Sequence, residues 1–239
     1  MRSLFPLDPD RTIHGLMTWT IPNILTVLRL LAAPGVIVMF LYFDRPWADW
    51  FALILFIGAA LTDFVDGYLA RAWKQETKLG AMLDPIADKA MVVIAFLVIV
   101  ALNSDRRYGM DPWILLPATL IVFREVFVSG LREFLGDTAG TLKVTKLAKW
   151  KTTVQMIAIA VLFSTGVFEH MYIERTIGMD REIVADILNG GDDPNNVRLI
   201  RDAYWGFWWL GVSLLWAAMV LTLLTGFDYL RKAMPYLRD

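Results

Sequence analysis

The chain reads Asp63-Phe-Val-Asp66-Gly67-Tyr-Leu-Ala70-Arg71 and, after eight further residues, Gly80-Ala-Met-Leu-Asp84-Pro-Ile-Ala-Asp88, between two apolar segments at 51–62 and 90–102. A single ionised carboxylate within a membrane segment costs roughly 2.5–3.5 kcal/mol on insertion scales. Four aspartates so close together would also repel one another unless a positive charge lies among them. Hard divalent cations meet this need because they prefer oxygen ligands. The stretch therefore predicts a metal site.

Composition indicates an integral membrane protein. Hydrophobic residues make up 57% of the 239 residues, ten of which are tryptophans, and the mean hydropathy is +0.51. The absence of cysteine from the sequence excludes disulfides, zinc–thiolate sites and thiol catalysis. Only His14 and His170 are present, which argues against a histidine-based metal site or catalytic triad. The length suits a single domain, 1–239, and residues 1–20 contain no apolar run typical of a cleaved signal peptide.

Six apolar stretches predict an all-α, polytopic membrane fold with about six transmembrane helices. Alternating ten-residue segments, which a membrane barrel requires, are absent from the sequence. Several stretches reach membrane-spanning length only if their charged ends are helical, so other parts of the protein must shield those ends. The predicted helices cover 22–43, 47–71, 84–102, 112–134, 151–168 and 204–230.

Charge predicts the orientation. The N-terminal segment 1–20, the connections 71–83 and 132–151 and the end 231–239 carry thirteen lysines and arginines, against seven in the alternate connections. Because basic residues favour the cytoplasmic side, both termini and all four aspartates are predicted to be cytoplasmic. The acidic segment 169–203 is predicted to be a solvated extracytoplasmic connection with one short surface helix. Trp47, Trp50 and the tryptophans at 205–209 are typical of interfacial belts.

The aspartate stretch also resembles a known family. Its pattern, D-x2-D-G-x2-A-R-x8-G-x3-D-x3-D, is the signature of the CDP-alcohol phosphotransferases, and every fixed position is met here. Residues 21–29 are similar to the N-terminal helix of that family. Residues 124–133 and 149–153 resemble its bacterial phosphatidylglycerophosphate synthase branch. The resemblance covers roughly residues 21–155.

The resemblance implies a transferase of the cell inner membrane, multi-pass and homodimeric, whose active site faces the cytoplasm. Its donor substrate would be CDP-diacylglycerol, with glycerol 3-phosphate as acceptor and phosphatidylglycerophosphate and CMP as products. One or two Mg²⁺ or Mn²⁺ ions would serve as cofactors. The predicted metal ligands are Asp63, Asp66, Asp84 and Asp88, with Asp88 also the catalytic base. The predicted CDP-diacylglycerol-binding residues are Asn23, Thr26, Gly67, Ala70, Arg71 and Gly80.

Basic residues near the cytoplasmic ends of the fourth and fifth helices predict an acceptor phosphate site. They are Arg124, Arg132, Lys149 and Lys151. Alternatives remain open for three of them: Arg124 could pair with Glu125, and Arg132 and Lys149 could be positive-inside anchors. A phosphorylated acceptor is favoured over serine, but inositol phosphate and other lipid phosphates stay possible.

Structural alternatives are open elsewhere as well. Asp84 precedes Pro85 and could simply cap a helix. The polar residues Asn23, Thr26 and Arg29 share one side of the first helix, where they could form interhelical hydrogen bonds. Gly67 could serve helix packing alone. A divalent-cation transporter, the alternative from another functional class, would also carry acidic residues in helices, but it would not need the small residues and the arginine at these gaps.

Overall fold

The computed structural model describes residues 20–73, 77–105, 109–136, 138 and 147–237. At positions 64, 66–71, 105, 148 and 149 the description is limited to the backbone. The predicted N-terminal segment 1–20 lies outside the described residues except for Thr20, which caps the first helix by accepting a hydrogen bond from the Asn23 amide.

The described parts of the chain contain seven α-helices, one two-stranded ribbon and a short 3-10 helix, Met234–Tyr236, after the last α-helix. Strands β1 and β2, Ser104–Asp105 and Gly109–Met110, pair antiparallel between the third and fourth helices. The helices are α1 (Ile21–Tyr42), α2 (Trp47–Trp73), α3 (Lys78–Leu102), α4 (Pro112–Leu135), α5 (Leu147–Thr176), α6 (Arg181–Leu188) and α7 (Val197–Ala233).

The all-α polytopic prediction is confirmed. Among the described residues, five helices, namely α1, α3, α4, α5 and α7, are long and apolar enough to cross a membrane. The sixth long helix, α2, has 27 residues. Together these six correspond to the six predicted stretches, and the short surface helix expected in 169–203 is α6.

Three helix boundaries differ clearly from the predicted ones: the start of α3, the end of α5 and the start of α7. Helix α3 begins at Lys78 because Thr77 caps it, its hydroxyl accepting from the Gly80 amide at 3.0 Å. Asp84 therefore lies inside α3, and the alternative that it merely caps a helix is wrong. The segment 169–203 is mostly helical rather than an open connection, since α5 continues to Thr176 and α7 begins at Val197. Asp193 supports that early start by accepting from the Val197 amide at 2.7 Å.

Helix packing forms one main apolar core and a small second cluster between α4 and α7. α1 packs against both α2 and α3, while α7 packs against α4 and α5, and α5 also contacts α2. Burying large side chains between these helices excludes lipid and water from the interior and fixes the relative positions of the polar helix ends. The largest fully buried apolar side chains are Phe56, Ile99, Ile114, Ile121, Ile159 and Leu215.

An ion-pair cluster closes the end of the bundle where α2 begins. Arg45 donates to both carboxylate oxygens of Asp49, at 2.7 and 2.8 Å, and lies 3.2 Å from Glu169 of α5. Hydrogen bonding to Asp49 raises the pKa of Arg45 above its ordinary value. Gly166 of α5 is part of this arrangement, because a Cβ there would lie 2.2 Å from the Asp49 carboxylate. We call Arg45, Asp49 and Glu169 the Arg45 cluster.

Candidate active site

The polar face of α1 is buried against α2 and α3. Asn23, Thr26 and Arg29, three residues apart in turn, are each no more than 3% exposed. Burying an arginine is costly unless its charge is paired, because the guanidinium loses its hydration. The residues that contact this polar face of α1 are therefore the next members of the site.

Arg29 joins the second and third helices through their aspartates. Its Nη1 donates to Asp63 Oδ1 of α2 at 2.6 Å and to Asp88 Oδ1 of α3 at 2.9 Å. The two acids are far from buried, with side chains 43% and 44% exposed. The positive charge that the aspartates require is thus partly supplied by the chain. We call Arg29, Asp63 and Asp88 the Arg29 cluster.

Thr26 and Asn23 attach α1 to the start of α3. The Thr26 hydroxyl donates to Asp84 Oδ1 at 2.7 Å, and the Thr77 hydroxyl donates to Asn23 Oδ1 at 2.8 Å. A Cβ at residue 80 would lie 2.8 Å from Asn23 Oδ1, so only glycine allows this approach. The interhelical hydrogen bonds considered for this polar face are therefore present, and they hold predicted donor-site residues beside the aspartates.

Part of the predicted site lies outside the described side chains. For five predicted site residues the structure describes only the backbone. Four of them lie in α2, namely Asp66, Gly67, Ala70 and Arg71, and Lys149 lies in α5. Their predicted roles stay predictions.

The chemistry of the aspartates fits a divalent cation. Asp63, Asp84 and Asp88 supply hard carboxylate oxygens, which Mg²⁺ and Mn²⁺ prefer. One nitrogen of Arg29 contacts both Asp63 and Asp88, and each of these two side chains is still more than 40% exposed. Within the described side chains, no group of three metal-ligating residues is already gathered around one point.

A cavity of about 290 Å³ lies between α3, α4, α5 and α7, with Asp88 in its wall. Its lining has four basic and three acidic side chains, so it carries a net positive charge. The basic residues are Lys89, Arg124, Arg132 and Lys151, and the acidic ones are Asp88, Glu125 and Asp228. Three of the four residues predicted to bind the acceptor phosphate therefore meet in one cavity, beside the predicted base.

Glu125 holds two of these cations. Arg124 Nη1 lies 3.1 Å from Glu125 Oε1, and Lys151 Nζ pairs with the same oxygen. The Arg124–Glu125 pair considered from the sequence is thus present, but as part of the cavity wall. Glu125 itself was missing from the predicted site residues, and the signal that could have found it was its place next to Arg124, where the sequence indicated only an ion pair.

Helix α7 supplies contacts that the sequence did not indicate. Arg124 Nη2 donates to the Thr225 hydroxyl at 3.2 Å. The guanidinium of Arg132 lies 5.2 Å from the ring centroid of Tyr229, a cation–π contact. Arg132 is therefore more than a positive-inside anchor, since its charge stands over a residue of the cavity wall.

These features define a class of protein: a helical membrane protein with a carboxylate–arginine cluster beside a positively charged cavity, an arrangement suited to transfer between phosphate-bearing substrates. A family model described as CDP-alcohol phosphatidyltransferase matches residues 19–184. The chain belongs to that family, whose members generally use divalent metals.

Curated relatives share one name, CDP-diacylglycerol–glycerol-3-phosphate 3-phosphatidyltransferase. The protein of that name from Cereibacter sphaeroides is 62% identical over 224 residues, covering 93% of this chain and 99% of the relative. The one from Pectobacterium atrosepticum is 41% identical over 148 residues, 61% of this chain and 78% of the relative. The one from Escherichia coli K12 is 37% identical over 146 residues, 60% of this chain and 76% of the relative.

Proposed function

We propose that this protein transfers the phosphatidyl group of CDP-diacylglycerol to sn-glycerol 3-phosphate, giving phosphatidylglycerophosphate and CMP. The observation that carries the proposal is the position of Asp88. It belongs to the Arg29 cluster and also lines the positively charged cavity. One carboxylate thus touches both a place for the donor pyrophosphate and a place for a phosphorylated acceptor. The name shared by the relatives supports the same reaction.

In the proposed step a primary hydroxyl of the acceptor attacks the phosphorus that carries the diacylglycerol. A new P–O bond forms to the acceptor oxygen, and the P–O bond to CMP breaks. The bonding electrons leave with CMP, and the hydroxyl proton passes to Asp88. No redox partner is required, since the reaction converts the phosphoanhydride of the donor into a phosphodiester of the product.

Asp88 is suited to the role of base by its placement. Arg29 donates to its Oδ1 and fixes the carboxylate, while the side chain stays 44% exposed and lines the cavity. A positioned general base typically contributes about 10²–10⁴-fold to a rate. Arg29 acts here as a positioning residue, because it aligns the acids of α2 and α3 on one nitrogen.

The donor side would hold the metal and the nucleotide. Asp63, Asp66 and Asp84, with Asp88, would bind one or two Mg²⁺ or Mn²⁺ ions, which when bound neutralise the pyrophosphate charge. Asn23, Thr26 and Gly80 form the α1–α3 contact beside these acids. Gly67, Ala70 and Arg71 are assigned to CDP-diacylglycerol by the family pattern alone.

The acceptor side would hold the phosphate of glycerol 3-phosphate. Arg124, Arg132 and Lys151 line the cavity, and Lys149 is two residues from Lys151 in α5. Pairing with Glu125 does not remove the attraction for an anion, because this one carboxylate is shared between Arg124 and Lys151. A charged hydrogen bond to phosphate contributes about 1.5–3 kcal/mol.

We also infer that the protein is a homodimer of the cell inner membrane, with the active site facing the cytoplasm. The excess of basic residues in the termini and alternate connections supports this orientation. Cytoplasmic nucleotide and glycerol 3-phosphate would then reach the site directly. The dimer rests on the family resemblance alone.

The test is CMP release by the purified protein from CDP-diacylglycerol, with glycerol 3-phosphate, inositol phosphate and serine offered separately. Release that depends on glycerol 3-phosphate and on added Mg²⁺ or Mn²⁺ is the expected result. Release with inositol phosphate or serine alone would reassign the acceptor. An Asp111→Asn variant, altered at the helix cap of α4, serves as a charge-matched control and should keep wild-type activity.

A further inference from the structure

The wall formed by α5 and α7 contains unsatisfied hydrogen-bonding groups. Gln155 and Tyr229 both line the cavity and are only 3% and 6% exposed. In the part of the chain that the structure describes, neither Gln155 Oε1 nor the Tyr229 hydroxyl has a hydrogen-bond partner. A buried polar group left unpaired costs free energy. These two atoms therefore mark a place where a polar group of a ligand can form the missing hydrogen bonds.

Both atoms are complementary to an alcohol group. Gln155 Oε1 can only accept a hydrogen bond, whereas the Tyr229 hydroxyl can donate one. A ligand hydroxyl can donate to the first or accept from the second. A phosphate oxygen could pair with the tyrosine but not with the amide oxygen, because both would be acceptors. The pair is therefore suited to a hydroxyl rather than to an anion.

The same wall also holds the cations of the cavity. The Tyr229 ring lies under the Arg132 guanidinium. Gly226, three residues before Tyr229, leaves room for the Arg124 stem, since a Cβ there would lie 2.8 Å from Arg124 Cγ. A ligand whose hydroxyl meets Gln155 and Tyr229 would therefore have Arg124 and Arg132 close by for a phosphate.

We propose that Gln155 and Tyr229 form a hydroxyl-binding subsite, so that the cavity selects a phosphorylated polyol with a free hydroxyl besides the one that reacts. The inference rests on the proposed function and deepens it. In glycerol 3-phosphate this second hydroxyl is on the middle carbon. The reacting hydroxyl would then face Asp88, and the phosphate would face Arg124, Arg132 and Lys151.

The experiment compares two acceptors that differ only in this group. Glycerol 3-phosphate and 3-hydroxypropyl phosphate share the phosphate and the primary hydroxyl, but the second lacks the middle hydroxyl. The measured quantity is the ratio of their kcat/KM values with CDP-diacylglycerol and saturating metal. Losing two neutral hydrogen bonds should make the wild-type ratio roughly 10- to 100-fold in favour of glycerol 3-phosphate.

Single substitutions then test whether Gln155 and Tyr229 are responsible for the preference between the two acceptors. Tyr229→Phe keeps the ring under Arg132 and removes only the hydroxyl, and Gln155→Met keeps the side-chain length and removes the amide. Each should lower the ratio roughly 3- to 10-fold, mainly by slowing glycerol 3-phosphate. Tyr229→Leu, which also removes the ring, should in addition raise KM for both acceptors. A second cavity, of about 520 Å³, is lined by Arg45, Glu169 and Tyr204. Tyr204→Phe in that cavity is the matched control and should leave the ratio unchanged.

The failures are distinguishable. If the wild type releases no CMP with glycerol 3-phosphate, the proposed function itself is refuted. If the wild type is active but does not discriminate between the acceptors, the subsite is refuted. An unchanged ratio in both Tyr229→Phe and Gln155→Met would also refute it, and equal loss on both acceptors would show a purely structural role.

Discussion

Two clusters of one arginine and two acids lie at different ends of the helices, and they are built in opposite ways. In the Arg45 cluster the acid Asp49 is buried, with 1% of its side chain exposed, and the arginine is 36% exposed. In the Arg29 cluster the arginine is buried, with 2% exposed, and the acids Asp63 and Asp88 are 43% and 44% exposed. The first cluster buries one of its two carboxylates, that of Asp49, and leaves Glu169 44% exposed, whereas the second leaves both of its carboxylates exposed.

The difference separates a structural ion pair from a site. Both oxygens of Asp49 are occupied by Arg45, and Gly166 lets α5 pack directly over the pair. Asp49 itself, only 1% exposed, is thereby closed to a ligand, although Arg45, Gly166 and Glu169 line a cavity of about 520 Å³ beside it. Asp63 and Asp88 meet Arg29 through one oxygen each, and Asp88 borders a cavity. The same substitution should therefore have different consequences in the two clusters.

The largest expected effect is the loss of activity in Asp63→Asn. Neutralising this acid should reduce CMP release to background while the protein stays folded, because the side chain is half exposed and a metal would lose a charged ligand. Treating the wild type with EDTA should have the same effect. We would measure turnover beside thermal unfolding in detergent. Full activity of the variant, or of metal-free wild type, would contradict the assignment.

Asp88→Asn should lower turnover by about 10²–10⁴-fold while CDP-diacylglycerol still binds. An amide cannot take up the acceptor proton, but it can still accept from Arg29. Donor binding by isothermal calorimetry and steady-state turnover separate the two roles. Loss of binding together with turnover would make Asp88 chiefly a metal ligand.

Arg124→Ala should raise the KM for glycerol 3-phosphate roughly ten- to hundredfold, with a smaller change for CDP-diacylglycerol. The alanine removes a cation of the cavity and leaves the Arg29 cluster intact. Arg124→Lys should restore only part of the affinity, because an ammonium cannot make the planar two-pronged contact of a guanidinium. KM values for both substrates test this. A defect confined to CDP-diacylglycerol would assign Arg124 to the donor site.

Asp49→Asn is the counterpart of Asp63→Asn and should have the smallest effect. It should lower the free energy of unfolding by about 1–2 kcal/mol, since the amide keeps one of the two hydrogen bonds from Arg45. The folded fraction should keep wild-type KM values for both substrates. Stability in detergent and kinetics below the unfolding transition are the measurements. A change in KM without a loss of stability would contradict the prediction, because it would show that Asp49 affects substrate binding at the other end of the bundle.

Much of the fold was predictable because its signals are local. The apolar stretches and the aspartate spacing gave the six long helices and placed Asp63 and Asp88 near each other. The start of α3 was missed because the cap at Thr77 lies among polar residues, where hydrophobicity carries no information.

The partners within the site were less predictable, because tertiary packing decides them. Arg29 was expected on the polar face of α1, but its contacts with Asp63 and Asp88 depend on how three helices meet. The contact between Arg124 and Thr225 joins residues 101 positions apart. Tyr229 lies in a region where the sequence offered only hydrophobicity, so its cation–π contact had no local signal.

The length of α7 has a consequence for where the chemistry takes place. Trp209 and Tyr229 are both in this helix, and twenty residues at helical rise span about 30 Å, the thickness of the hydrocarbon layer. If the exposed Trp209 ring sits at one lipid–water boundary, Tyr229 falls at the other. The length of α7 then fixes the distance between the two boundaries. It sets the cavity at headgroup level, where a lipid pyrophosphate can react without its acyl chains leaving the membrane.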